Sequence, residues 1–215
     1  MSRPLVSVIT PTWGRPNLLQ ETVEHVRKQT YPNIEHVIVF DGPGGGHWSR
    51  PPEDYVREVD SGVFIRIFDL GWRPTVELRD SFAVGALTVG ALMARGEYQM
   101  WLCDDERMAP DHIEALVDLL ETTGVDFVYP LVYLWKAGNP DHGIRVGVYP
   151  PQFGTITSVL YRRSCLDKGM YRFHIPRVPG AAMAAHDWDL ISQWLENGAT
   201  CALLSRETLS HREDH

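Results

Sequence analysis

Three consecutive carboxylates, Asp104, Asp105 and Glu106, close an apolar run that starts at Glu97 and passes through Met100, Trp101, Leu102 and Cys103. Charges this close cannot be buried without a counter-cation, because desolvation and mutual repulsion oppose it. Carboxylate oxygens are also the ligands that hard divalent ions such as Mg²⁺ and Mn²⁺ prefer. The stretch reads either as a metal-diphosphate site at the end of a central strand or as a solvated acidic turn that merely stops the strand. Aromatic rings offer a second kind of chemistry. Trp13, Trp48, Trp72 and Trp135 fall near expected loops or strand ends, where a flat ring can stack on a base or a sugar, although packing is the ordinary role of any one of them. Trp101, Trp188 and Trp194 have periodic neighbours and read as partly core.

These groups need elements to hold them. Residues 5–10 form a β-branched run stopped by Pro11, which predicts a buried strand. A helix over 17–29 places Leu18, Leu19, Thr22, Val23 and Val26 on one face, and residues 34–40 read as a second strand. Together they make a βαβ unit with a parallel pair. The glycines at 44–46 invite a phosphate-loop reading, but no helix start and no Lys-Ser or Lys-Thr follows, so a loop is expected. A short helix at 53–59, a strand at 63–68, a long helix at 74–95 and the acidic strand at 97–102 come next. A helix over 110–121 turns Ile113, Leu116, Val117 and Leu120 inward, and a strand covers 125–129. Shorter strands, expected antiparallel, cover 131–136, 145–149 and 155–161. Residues 176–185 are rich in small side chains and read as mobile, with 180–185 just ahead of the next helix. A helix at 187–197 stops at Gly198, and a last strand at 200–204 leads into a tail.

Strands alternating with helices, followed by short strands, predict an α/β fold with a mixed sheet. Ligands in such sheets collect beyond the carboxyl ends of the parallel strands. Pro11 to Trp13, Asp41 and the Asp104-Asp105 pair all lie at such ends, which favours a site over a solvated turn.

Composition narrows the classes. A chain of 215 residues, 44% hydrophobic, can bury one core, so a single domain is expected. No apolar run is long enough to span a bilayer and no signal-peptide pattern opens the chain, so a soluble cytoplasmic protein without a transmembrane segment is expected. The net charge of -8 argues against a nucleic-acid groove. It does not exclude an anionic small ligand, because a bound metal can supply positive charge. Cys103, Cys165 and Cys201 are scattered, and read as reduced core residues instead of a disulfide or zinc framework.

The run from Val6 to Arg15, VSVITPTWGR, resembles the opening of family 2 glycosyltransferases, usually VSVIIPTYNR. The spacing to Gln29-Thr30-Tyr31-Pro32-Asn33, the strand ending in Asp41-Gly42 and the Ala94-Arg95-Gly96-Glu97-Tyr98 lead into the carboxylates match as well. So do Pro110-Asp111 and His186-Asp187-Trp188-Asp189-Leu190. The resemblance covers nearly the whole chain in order. It implies the GT-A fold, a Rossmann-like mixed sheet flanked by helices, with a nucleotide-sugar-binding half at about 1–106 and an acceptor-binding, catalytic-base half at about 107–215. It implies inverting, metal-dependent transfer from a nucleoside-diphosphate sugar, a UDP-sugar being favoured, to the hydroxyl of a glycan, a lipid-linked or a small-molecule acceptor. A homo-oligomer is compatible with it.

Carried over, the resemblance puts Pro11, Thr12, Trp13 and Arg15 on the donor side, with Pro11 and Trp13 lining the base pocket and Asp41 pairing with the base. The family's Asp-X-Asp motif reads here as Cys103-Asp104-Asp105. It makes Asp105 the metal ligand and sends Asp104 toward the ribose or the metal's water shell. Cys103, a soft thiol facing a hard ion, is read as packing. His211 matches a further metal ligand, and Arg212 beside it a diphosphate contact. The family's Arg-Asn pair is missing, Leu87 and Thr88 standing in its place, with Arg73 or Arg79 as substitutes. Asp187 matches the catalytic base, and its place just inside a helix start is expected to lower its pKa. Unmatched, Asp41 would read as a turn residue and Asp187 as a helix cap. A non-catalytic binding module on the same fold is the main alternative. A sugar nucleotidyltransferase is a weaker one, since Pro11 to Pro16 does not supply the glycine-rich loop that activity needs.

Overall fold

A computed structural model of the chain describes residues 3–42, 63–71, 83–136, 139–152, 158–172 and 186–212, without the side chains of 136–142 and 212. The glycine run at 44–46, the helix expected at 53–59, the first part of the helix expected from 74, and Trp48, Trp72, Arg73 and Arg79 lie outside the described residues. So does the stretch at 176–185.

The first half follows the expected order. Strand β1 (Val6–Thr12), helix α1 (Pro16–Arg27) and strand β2 (Ile34–Phe40) form the parallel unit, and β3 (Phe64–Asp69) extends it on one side. Helix α2 (Val84–Met93) returns the chain to β4 (Tyr98–Trp101), which pairs parallel to β1 on the other side. Gly90 permits a close crossing of α2 over β1, since a Cβ there would lie 2.4 Å from Ile9 Cγ2. Beyond β4 come β5 (Glu106–Met108), α3 (His112–Thr123), β6 (Phe127–Lys136), β7 (Asn139–Val146), β8 (Leu160–Arg162), a 3₁₀ turn (Arg163–Asp167), α4 (His186–Glu196) and β9 (Cys201–Arg212). The strands form one mixed sheet in the order β3-β2-β1-β4-β8-β6-β9-β5, with β7 paired to β6.

Period-two alternation sends successive side chains to two cores, one on each face. Val6, Val8, Tyr98, Met100 and Leu102 join Ile113, Leu116 and Leu120 of α3 in one. Ile9, Trp101, Phe127, Tyr161 and Trp194 pack in the other, where the Tyr161 and Trp194 rings are 4.9 Å apart and Trp101 and Tyr161 5.7 Å. Trp101 and Trp194 are buried, as their neighbours suggested, and Trp188 packs at the rim of that core.

Three differences from the sequence reading matter for the site. The carboxylates do not lead straight into a helix, because Glu106 starts the short strand β5. The strands expected at 125–129 and 131–136 are one strand, with Pro130 inside it; the register against β9 shifts at Pro130 and Leu131, a bulge that tolerates the missing N–H. The tail expected after residue 204 is the second half of β9. Its exposed Ser205, Arg206 and Glu207 interrupt the apolar pattern at that bulge, and the strand resumes at Thr208.

Candidate active site

The site is built first from the ends of β1 and β2. The two strands are in register to Thr12 and Phe40, and the Asp41 N–H then donates to the Thr12 carbonyl at 3.0 Å. Pro11, Thr12, Trp13 and Asp41 are thereby brought together. Pro11, Thr12 and Asp41 are buried, while Trp13 is 40% exposed and offers its ring at the edge of the sheet. The Leu102 N–H donates to the Ile9 carbonyl at 2.9 Å, which carries β4 one residue further and delivers Cys103 and Asp104 beside the end of β1.

Asp104 is buried, and its Oδ2 accepts a hydrogen bond from the Thr12 hydroxyl at 2.9 Å. Its carbonyl accepts one from the Thr22 hydroxyl of α1 at 3.2 Å. Arg15 pairs with Asp104 Oδ1 through one guanidinium nitrogen and with Asp105 Oδ2 through the other, at 3.1 Å. Arg15 is the N-cap residue of α1, and Pro16 begins the helix. The guanidinium thus reaches the two carboxylates from the N-terminal end of α1. Burial still pushes the Asp104 carboxyl up to about 6, with the neighbouring Asp105 adding to the rise and Arg15 and Thr12 opposing it. Arg15, expected on the donor side, is engaged here as the counter-cation of the acidic pair.

Strand pairing brings in the next group. β5 runs antiparallel to β9, so that Glu106 faces His211. The His211 Nδ1 lies 3.8 Å from Asp105 Oδ1 and 3.8 Å from Glu106 Oε1. Glu106 Oε2 accepts the Cys103 N–H at 2.8 Å, which closes the turn. Among the described residues, no three His, Cys, Asp or Glu side chains form a preassembled ion cage. Asp105 and His211 nevertheless lie side by side and supply an imidazole nitrogen and a carboxylate oxygen, the latter being the ligand type that Mn²⁺ and Mg²⁺ prefer. Arg212 continues β9, and its side chain lies outside the described residues.

Asp187 lies in the first turn of α4. The helix start was expected to lower its pKa. Burial wins instead and pushes the carboxyl up to about 6, with the Tyr171 hydroxyl opposing the rise. The Cys103 thiol is raised well above its ordinary range by burial and by Glu106, Asp105, Asp187 and Asp104 around it. Four carboxylates thus act on one uncharged sulfur, Asp187 of α4 among them, which fits the reading of Cys103 as packing. All three cysteines are free thiols.

A family model for glycosyl transferase family 2 matches residues 7–143. The chain belongs to that family. An uncharacterized glycosyltransferase of Rickettsia felis is 33% identical over 119 residues, which are 54% of this chain and 17% of that protein. Among solved structures, S. aureus TarS 1-349 in complex with UDP superposes with a TM-score of 0.73 at 14% identity, covering 97% of this chain and 60% of that one. The mannosyltransferase PcManGT from Pyrobaculum calidifontis, in complex with GDP-Man and Mn2+, gives 0.70 at 18% identity, covering 98% and 57%. At these identities the likeness is one of fold, and it is the GT-A fold. The chain spans about a sixth of the Rickettsia relative's length.

For this family 2 member, the sequence reading missed the strand that presents His211 and left Glu106 without a partner. Tyr171 carried no signal at all, since nothing near it repeats.

Proposed function

We propose that the chain is the catalytic unit of an inverting glycosyltransferase, moving a sugar from a nucleoside-diphosphate donor to an acceptor hydroxyl with a divalent ion bound. The observation that carries this reading is the convergence of three separate elements beyond the carboxyl ends of the parallel strands: the β1–β2 corner, the acidic turn with His211, and Asp187 at the start of α4. The relatives' bound UDP, GDP-Man and Mn2+ support a nucleotide-sugar donor and a divalent ion. A UDP-sugar is the favoured donor.

Each residue has a task. Pro11 and the ring of Trp13 flank the base, and the Asp41 carboxylate accepts from a ring N–H of uracil or guanine. Thr12 and Asp104 lie on the ribose side. Asp105 and His211 would hold the ion, which neutralises charge on the departing diphosphate when bound. Arg15 is then released from the carboxylates to the diphosphate, and Arg212 is the second cation assigned to it. Asp187 takes the acceptor proton. A carboxyl raised to about 6 is ionised at neutral pH yet basic enough for that work. Residues up to about 106 form the donor half, and those beyond it the acceptor half.

The test is a panel of UDP-, GDP- and dTDP-sugars in thermal-shift assays with and without Mn²⁺, followed by transfer assays. Asp105→Ala should abolish the Mn²⁺-dependent part of the nucleotide shift. Asp187→Asn should keep that shift and lose transfer by at least a hundredfold. If wild-type protein binds donor but neither transfers nor hydrolyses it, the chain is a binding module, the reading favoured by Cys103 standing where the family has its first motif aspartate. Turnover unchanged in Asp187→Asn would remove it as the base.

A further inference from the structure

The segment from Gly169 to Arg172 is laid along α4 and fastened to it on both sides of Tyr171. The Trp194 indole N–H donates to the Gly169 carbonyl at 3.1 Å, and the Gln193 amide donates to the Met170 carbonyl at 3.1 Å. Gly169 is pressed so close that a Cβ there would lie 2.7 Å from Gln193 Cβ. On the far side, Arg172 Nε donates to Asp189 Oδ2 at 3.0 Å. Tyr171 is thus held against the helix turn that carries Asp187. Its ring is 8% exposed and meets Trp101 edge-on, with centroids 5.9 Å apart. Its buried hydroxyl makes no hydrogen bond of full length and angle among the described residues. Of the charges that act on it, the Asp187 carboxylate acts most strongly.

A buried donor left unmade is costly, and a hydrogen bond to a charged acceptor is the strongest way to satisfy it. We infer that Tyr171 is a positioning residue for Asp187: its hydroxyl holds the ionised carboxylate in one orientation and leaves the second oxygen to accept the acceptor's proton. The inference rests on the reading of Asp187 as the base. The other ionisable groups near the pair are Cys103 and Glu106 of the acidic turn, Tyr161 of β8, and His186 and Asp189 on the same helix. Asp189 is engaged by Arg172. The Tyr161 hydroxyl is already donated to Gln99 Oε1 at 3.0 Å, which leaves the neutral O–H of Tyr171, whose own pKa is held far above neutrality by burial, for Asp187. It donates throughout the working pH range.

Tyr171→Phe keeps the ring and removes only the donor. It should lower kcat tenfold or more, leave the donor KM within about twofold, and move the acid limb of the pH profile up by about one unit, because the charged form loses its support. Its Tm at neutral pH should fall only slightly, since the ring and its packing remain and a single hydrogen bond is lost. A second readout needs no turnover: the Asp187 ¹³Cγ resonance, assigned with Asp187→Asn, should titrate about one unit higher in Tyr171→Phe than in wild type. A wild type without transferase activity would sink the base assignment while the resonance still measures the contact. An Asp187 titration unmoved by Tyr171→Phe would overturn the inference. A strongly lowered Tm with an unmoved pH limb would assign Tyr171 to packing alone.

Discussion

Arg15 shows how one side chain can satisfy a buried acidic pair before any ligand arrives. It bridges Asp104 and Asp105, which otherwise face each other with the Thr12 hydroxyl donating to the Asp104 carboxylate. Removing one partner of a fully buried ion pair costs about 3–5 kcal/mol. Arg15 is 40% exposed, so solvent screening cuts this to about 1–2 kcal/mol. Arg15→Gln should therefore lower stability by that amount at neutral pH in thermal or urea unfolding. Mn²⁺ should restore more stability to the variant than it adds to wild type, since the ion no longer competes with a resident guanidinium. Calorimetric titration should accordingly find tighter Mn²⁺ binding by the variant in the absence of nucleotide. Equal or weaker binding would mean that Arg15 assists the ion instead of standing in for it.

β9 is the element on which the site depends and the one least visible in the sequence. Its second half lies between β6 and β5, and its pairing with β5 is what sets His211 opposite Glu106. Ser210→Pro removes a ladder N–H one residue away from His211 without touching a ligand. It should lower stability and also erase the Mn²⁺-dependent thermal shift, whereas His211→Asn should erase the shift with little loss of stability. A Ser210→Pro protein that keeps the full shift would show that His211 needs no strand to hold it. Strands β1, β2 and β4 were legible because both faces of each are buried, leaving short, largely apolar runs such as Val6 to Ile9 and Val37 to Phe40. β9 lacks such a run across its bulge, and β5 is three residues with a charged start, so neither leaves a periodic trace. The site followed the same division. Asp41, Asp104 and Asp105 were readable from their places at strand ends. The Arg15 bridge, the Glu106–His211 pairing and the Tyr171–Asp187 contact depend on tertiary approach, which spacing does not encode.

At the scale of the molecule, the same burial that shapes the site sets how stability responds to acid. His36, in the middle of β2, and His112, at the start of α3, are fully enclosed and lowered to about 3 by burial. His36 Nε2 meets the Thr10 hydroxyl at 2.9 Å and His112 Nδ1 the Thr208 hydroxyl at 2.8 Å. Between 6.5 and about 3 the unfolded chain binds protons at both while the folded chain does not, so their contribution is present above 6.5 and is lost as pH falls. Asp104 and Asp187, raised to about 6, act with the opposite sign. Between about 6 and 3.8 the folded chain takes up their protons first, and stability is gained on acidification. The two pairs nearly offset one another between pH 7 and 5, leaving a net loss of about 1 kcal/mol. Breaking the balance should expose each side. Asp187→Asn should enlarge the loss measured by urea unfolding at the two pH values by about 1.4 kcal/mol, while His112→Gln should reduce it by about 2 kcal/mol and could turn it into a gain. Changes of the same sign in both variants would show that the acid response arises elsewhere, in surface carboxylates such as Glu24, Asp111 and Glu114, whose pKa values are lowered by their cationic neighbours and hydroxyl donors.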